Sequence, residues 1–321
     1  MANAFTSIAT KPGMSDVLVQ QAYDLAVAWV LREMPQYRSF VTKRPEKPNM
    51  TGASIVLSLF DYFGDAAIAA GKVPLNEEQD IDSTKMPPLK TVTLTPNEYG
   101  FAVTRTKQLK LKSFADVDPA IARAVAQHMG EVMDELVQDT LVTGTQVLRP
   151  SARATTGAVT GTDKLQATLI RQAVTKLRVN KAVPTSGDLF LAGVHPHVIH
   201  DLREETGSGS WRLPTEYGSL DGSLIKSGEI GEFEGVRFVA NTRTRKAADG
   251  ASGATVYRSF LFGQEAVAEV NLEEPHTVLG PVVDKLNRFR TVGWTTGGIG
   301  WGVYRQEALL RLETSSSVAN L

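Results

Sequence analysis

Three of the five histidines in this 321-residue chain stand close together, at His195, His197 and His200 in the stretch Leu191-Ala-Gly-Val-His-Pro-His-Val-Ile-His-Asp-Leu-Arg203. Imidazole nitrogens are common ligands of zinc, and a bound zinc ion activates water for hydrolysis. On a helix, His197 and His200 would share a face. His195 precedes Pro196, which biases it towards extended backbone, so it need not point with the other two. Asp201, Glu204 and Glu205 are the nearest carboxylates, and spacing alone aims none of them at a common point. Two readings follow: a metal-dependent enzyme using His195, His197 and His200, or a strand-to-helix turn in which the histidines pack. The second is preferred, so no catalytic, cofactor-binding or metal residue is assigned.

Other chemistry is thinner. The chain has no cysteine, which removes disulfides, thiolate metal sites and cysteine nucleophiles. Gly207-Ser-Gly-Ser210 and Gly297-Gly-Ile-Gly300 match neither phosphate-loop pattern and read as turns. No Gly-x-Ser-x-Gly elbow occurs. Glu77, Glu78, Asp80 and Asp82 lack the glycine and terminal glutamate of a calcium loop. A net charge of -1 argues against tight nucleic-acid binding, which needs many cations on phosphates. Two basic patches remain, Arg105, Lys107, Lys110 and Lys112, and Arg243, Arg245 and Lys246. Each is a solvated surface or a seat for the acidic run of another copy. The first residues lack the basic start and apolar core of a secretory signal, and no apolar run approaches the ~20 residues that span a bilayer.

The elements around the histidines read as follows. Residues 15–34 carry a helical stripe ended by Pro35, and 43–48 form a proline-rich connector. Residues 53–63 are a strand. A second β run covers 89–95 and continues through 99–105. The residues 64–88 between them form a connection too long for a compact domain, and a lone hairpin is marginal in water. A neighbouring subunit is the economical cover. Residues 118–144 are the clearest helix, with stripe Ile121, Val125, Met129, Val132 and Leu136, widened by Met133, Val137 and Leu141. A loop over 145–162, a helix over 164–180, a strand over 188–194 and a helix from Pro196 through Glu204 follow. Residues 231–240 and 255–262 are strand-like, 293–302 loop-like, and 308–313 a final strand.

This order resembles the major capsid proteins of tailed bacteriophages, with the Hong Kong 97 fold, and within them the branch of the coliphage N-four type. Four stretches carry the resemblance. Pro74-Leu-Asn-Glu-Glu78 with Val92-Thr-Leu-Thr-Pro-Asn-Glu-Tyr-Gly100 is similar to the tip and return strand of that family's extended arm. Phe114-Ala-Asp-Val-Asp-Pro119, with the helix to Leu141-Val-Thr-Gly-Thr145, is similar to its spine helix. Val194-His-Pro196, Asp201-Leu-Arg203, Gly228-Glu-Ile-Gly231 and Gly235-Val-Arg-Phe-Val239 resemble its axial domain. Asp284-Lys-Leu-Asn287 and Thr291-Val-Gly-Trp294 resemble its C-terminal signature, with Lys285 in place of proline.

The resemblance implies an α+β fold with an N-terminal arm and helix (1–50), an extended β-hairpin arm or E-loop (51–112), a spine helix in a peripheral domain (113–162), an α/β axial domain (163–268) and returning peripheral strands (269–321). It implies no enzyme and no cofactor. It implies a homo-oligomer of hexamers and pentamers in an icosahedral shell, with scaffolding, portal and decoration proteins as further partners. The shell would hold double-stranded DNA without sequence-specific contacts and would not touch a membrane. The subunit would be made in the bacterial cytoplasm and reside in the virion. The arm would cross a neighbour's long helix, with Gly52, Gly64 and Gly100 as hinges at its base. An encapsulin-like compartment, a tail or decoration protein and the metal-dependent enzyme are the competing readings.

Overall fold

A computed structural model describes residues 37–43, 54–60, 63–74, 77–78, 80, 83, 85–112, 117–185, 187–205, 229–282, 284–286 and 288–318. The helix expected over 15–34, the hinge at Gly52 and the glycine–serine loop at 206–210 lie outside them. In chain order the strands are β1 Thr42–Lys43, β2 Ile55–Phe60, β3 Leu89–Leu94, β4 Gly100–Thr106, β5 Val147–Leu148, β6 Phe190–Val194, β7 Glu229–Phe233 and β8 Val236–Ala240. They continue as β9 Lys246–Ala247, β10 Val256–Phe262, β11 Val267–Asn271, β12 His276–Val282, β13 Phe289–Thr295, β14 Ile299–Val303 and β15 Leu309–Thr314. The helices are α1 Asp65–Ala70, α2 Lys107–Lys112, α3 Val117–Val142, α4 Ala167–Val179 and α5 Pro196–Glu204.

A seven-stranded sheet runs β5-β15-β10-β6-β8-β7, with β9 beside β10. Strand alternation sends Phe190, Ala192, Val194, Phe238, Leu261 and Leu310 to one face. There they meet the apolar stripes of α4 and α5, including Ile170, Leu177, Val198 and Leu202. The opposite face presents Phe260, Phe262 and Leu309, which pack on Val137 and Leu141 of α3 and on Tyr37. The sheet is thus sandwiched between two short helices and the C-terminal half of the 26-residue α3. At 1.5 Å per residue α3 is about 39 Å long, longer than this sheet is wide across a few strands spaced ~4.8 Å apart. Its N-terminal half therefore reaches a second body, the sheet β12-β13-β4, where Val125 clusters with Trp294 of β13; Met133 and Ile299 of β14 complete that cluster.

At its C-terminal end α3 is tied to the large sheet by charge. Arg311 donates to the carbonyl of Val142, placing a cation where the helix dipole is negative. Arg149 lies 2.6 Å and Arg311 2.9 Å from the buried Glu313 carboxylate. A carboxylate buried without such partners would be strongly destabilising.

Several expectations are corrected. The run expected to continue from 89–95 through 99–105 divides at Pro96. β3 pairs with β2, while β4 joins a different sheet against β13. Residues 231–240 are a hairpin turning at Glu234 and Gly235 (φ +78°), not one strand. Residues 293–302 are not a loop: β13 and β14 occupy them and turn at Gly298 (φ +130°). Their glycines and threonines hide the β signal because the strands pack closely. A Cβ on Gly293 would sit 2.6 Å from the Phe101 carbonyl oxygen of β4. The stripe of α3 is also rotated, with Val125, Met133, Val137 and Leu141 buried while Leu136 is only half-buried. Finally, the returning segment from 269 divides, because β15 enters the seven-stranded sheet.

Candidate assembly surface

The three histidines do not converge. His195 ends β6 and caps α5, its Nδ1 accepting from the His197 N–H at 3.2 Å. Its ring packs on His197 and Tyr257, with centroids 4.5 and 4.9 Å away. His197 Nδ1 shares a 2.9 Å hydrogen bond with the Tyr257 hydroxyl. His200 points elsewhere, exposed beside Asp201. With Asp201 and Glu204 it forms the one group of three potential metal ligands among the described residues. Asp201 is already committed, accepting from the Ser317 N–H at 3.0 Å and from the Ser317 hydroxyl, with Lys164 Nζ 3.7 Å away. That carboxylate fastens the end of the chain to α5. Burial tends to raise its pKa, but the Ser317 and Ser316 donors and Lys164 together hold it below the usual carboxylate range.

His195 carries a consequence for acid stability. Burial first, then the His197 and Lys246 charges, lower its pKa from 6.5 to about 4, against one opposing hydrogen bond to Thr242. The unfolded chain therefore takes the proton first as pH falls. Stability present above pH 6.5 should drop on the order of 3 kcal/mol between there and pH 4. Asparagine is a good N-cap acceptor that does not titrate in this range. His195→Asn is expected to hold its stability at pH 7.5 and lose much less on acidification, in urea unfolding of unassembled subunits.

The extended arm has the geometry that a partner must complete. β2 and β3 are paired along their length, with Ile55 opposite Leu94 at the base and Phe60 opposite Leu89 at the far end. One face of the ribbon packs on the subunit itself: Ile55 and Leu94 join Ala268, Val270 and Tyr304, with Leu57, Leu59 and Val92 half-buried against them. Farther out, Phe60, Phe63, Ile68, Val73 and Met86 each leave half or more of their surface in water. A cluster of large apolar side chains on a narrow ribbon marks a surface built to be covered. Gly64, expected as a hinge, caps α1, its carbonyl accepting from the Ala67 N–H at 2.9 Å and the Ile68 N–H at 3.2 Å. Gly100 is not free to act as the expected hinge. It is held in register with Thr295, and a Cβ would lie 3.1 Å from the Trp294 carbonyl oxygen.

The other face of the β12-β13-β4 sheet, away from α3, is open. A groove of about 380 Å³ there is lined by Gly100, Ala102, Val278, Gly280 and Gly293 among others. The basic patches part company. Arg243 reaches Glu131 at 3.0 Å and Glu135 at 2.6 Å, and Arg245 reaches Asp139 at 2.9 Å, all along one face of α3. Two of the three cations of that patch, Arg243 and Arg245, are thus engaged inside the subunit rather than left for another copy.

A contact that sequence reading missed lies at Tyr37. This side chain is buried in a short 3-10 turn, its hydroxyl 2.8 Å from Thr244 Oγ1 and its N–H donating to Asp134 Oδ1 at 2.7 Å. Asp134 and Gln138, polar residues on the buried face of α3, are explained by this docking. The signal available was their i, i+4 spacing inside an apolar stripe. Burial pushes the Asp134 carboxyl upward, only partly offset by the Tyr37 N–H and the Gln138 and Asn241 side chains. The sign follows: its favourable contribution is complete below the ordinary carboxylate pKa and is lost as pH rises through the raised value. Asp134→Asn keeps the acceptor for Tyr37, and an amide flip would supply the partner that the buried Gln138 Oε1 lacks. The variant is expected to be more stable by roughly 1 kcal/mol at pH 7 and to gain less at pH 4, in the same urea assay.

The whole architecture is similar to solved phage capsids. The capsid asymmetric unit of cyanophage Pam1 matches with TM-score 0.70 and 16% identity over 99% of this chain and 100% of that one. The capsid of Ralstonia phage GP4 matches with TM-score 0.72 and 13% identity over 97% and 99%. The capsid of cyanophage P-SCSP1u matches with TM-score 0.71 and 16% identity over 98% and 100%. No family model and no curated protein sequence matches the chain. At these identities the shared property is the fold, and the α+β class with an extended arm and a long helix is that of these capsid subunits.

Proposed function

We propose that this chain is the major capsid protein of a tailed bacteriophage, a structural subunit that assembles as hexamers and pentamers into an icosahedral shell around double-stranded DNA. The observation that carries the reading is the arm: Phe60, Phe63, Ile68, Val73 and Met86 expose apolar surface that the subunit's own sheets do not cover. Laid on a neighbour, each such side chain would contribute about 1 kcal/mol by losing roughly half its hydration. Contacts of that strength suffice for a closed shell, because each incoming subunit meets several neighbours at high effective concentration. They are also weak enough for misplaced copies to leave. The contacts are heterologous, the kind that close into rings and shells. No helix among the described residues is long and apolar enough to cross a membrane. The reading carries with it the division into arm, spine, axial and peripheral parts, scaffolding, portal and decoration partners, synthesis in the bacterial cytoplasm and residence in the virion.

Electron microscopy of the expressed protein tests this. Closed shells of uniform diameter are the expected result. Rings, tubes or a small compact oligomer would refute it. Nuclease-protected DNA in shells from infected cells separates the phage reading from a protein-filled compartment.

A further inference from the structure

The indole N–H of Trp294 donates to Nδ1 of His128 at 3.1 Å and so joins β13 to the N-terminal half of α3. Among the described residues no other acceptor serves it. Trp294 is 3% exposed and lies in the cluster of Val125, Met133 and Ile299 where α3 meets the β12-β13-β4 sheet. An indole N–H can only donate. His128 must therefore present Nδ1 as a lone pair, which makes the imidazole neutral with its proton on Nε2. Phe101, the register partner of Trp294 on β4, stacks on the same imidazole, with centroids 4.4 Å and planes 34° apart. The ring is thus held between helix and sheet.

The charges around His128 do not replace this bond. On α3, Glu131 lies one turn on and is paired with Arg243 at 3.0 Å, and Arg123 lies little more than a turn before. On β4 and β13, the face that carries Phe101 and Trp294 bears Val103 and Val292 next, and only then Arg105 and Arg290. β12 sets Thr277 opposite Trp294 and turns His276 to the other face. Glu98, 3.5 Å from the Thr295 hydroxyl, lies on that other face too. β14 contributes the uncharged Ile299 and Trp301. A proton on Nδ1 would set two N–H groups against each other and leave the buried Trp294 N–H without an acceptor, which is unfavourable. The Phe101 ring tolerates an imidazolium as well as an imidazole, so the change falls on the hydrogen bond.

We infer that the His128–Trp294 pair is a pH-sensitive latch between α3 and the β12-β13-β4 sheet, closed while the imidazole is neutral and released when Nδ1 takes a proton. Acid then loosens the N-terminal half of α3 from that sheet. The C-terminal half stays packed on the large sheet through Val137 and Leu141. The inference rests on the joint itself and stands apart from the capsid reading; within a shell it would make the angle between the two bodies respond to pH.

NMR of the indole N–H groups in the unassembled full-length subunit tests this, with Trp294→Phe identifying the signal. The two conditions are pH 8 and pH 5, the limits between which histidine ordinarily changes its charge. The Trp294 indole hydrogen is expected to exchange with solvent at least about tenfold faster at pH 5, after correction for the pH dependence of free tryptophan. His128→Asn keeps an acceptor and does not titrate, so its two rates should agree within about twofold. His128→Phe removes the acceptor and should leave the hydrogen unprotected at both pH values. Equal protection of Trp294 at both pH values in the wild type overturns the inference. So does a His128→Asn variant that loses protection as the wild type does, since the change would then belong to another group such as His195. Simultaneous loss of backbone protection in α4 and α5 at pH 5 overturns it as well, because the whole subunit would be opening rather than one joint. Should His128→Asn fail to fold, the wild-type rates and the α4 and α5 control decide alone.

Discussion

Removal of residues 65–88 is expected to abolish shell formation while leaving a folded, monomeric subunit. The register makes the deletion tolerable. Phe60 and Leu89 are partners at the far end of the ladder, so residues 61–64 would remain as a four-residue hairpin loop, a length that antiparallel strands accept readily. None of the deleted residues that the structure describes belongs to a buried cluster: the contacts of Ile55 and Leu94 with Val270 and Tyr304 lie at the other end. The melting temperature should stay within about 3 °C of that of the unassembled wild-type subunit, since surface changes away from the core usually cost under 0.5 kcal/mol. Assembly, by contrast, should fall below detection. Sedimentation and electron microscopy of matched preparations check both halves. Intact shells from the deletion would refute the role given to the arm.

Tyr37→Ala is expected to destabilise the subunit by about 3–5 kcal/mol, the range for removing a large buried aromatic. Three elements lean on this ring. Phe260 and Phe40 meet it edge-on at 6.1 Å, and its hydroxyl bonds Thr244. It also fills space that Gly193 leaves open, since a Cβ there would stand 2.5 Å from the ring. Gly193→Ala should therefore be destabilising alone and much less so in the Tyr37→Ala background. Urea unfolding of the arm-deleted subunit, which does not assemble, reads both. Additive losses in the double variant would show that ring and glycine are not in contact.

The arm, the long helix and the α4–β6–α5 succession were legible because each is a local pattern. Examples are the β-branched residues over 89–94, the stripe through Val125 and Leu141, and the His-Pro step opening α5. The backbone of that step was legible as well, since a residue before proline is biased to extended geometry and His195 adopts it; that its side chain would turn back to cap α5 against His197 was not. What escaped was set by distant partners. β13 and β14 hide behind glycines whose small size is demanded by distant neighbours: β4 at Gly293, Pro96 at Gly300 and Leu94 of β3 at Gly302. The break at Pro96 sends one β run into two sheets, which depends on which strands lie nearby. Tyr37 looked ordinary because its environment is assembled from α3, β6, β10 and the loop before β9. The internal use of Arg243 and Arg245 likewise required Glu131, Glu135 and Asp139, over a hundred residues away in sequence.

The central claim is that residues 60–86 are covered by another copy of the chain. An electron cryomicroscopy map of particles formed by the purified wild-type protein measures this directly. The account predicts closed shells in which Phe63, Ile68, Val73 and Met86 lie against an adjacent subunit. A protein that stays monomeric at high concentration, or particles in which each arm folds back on its own sheet, would contradict it.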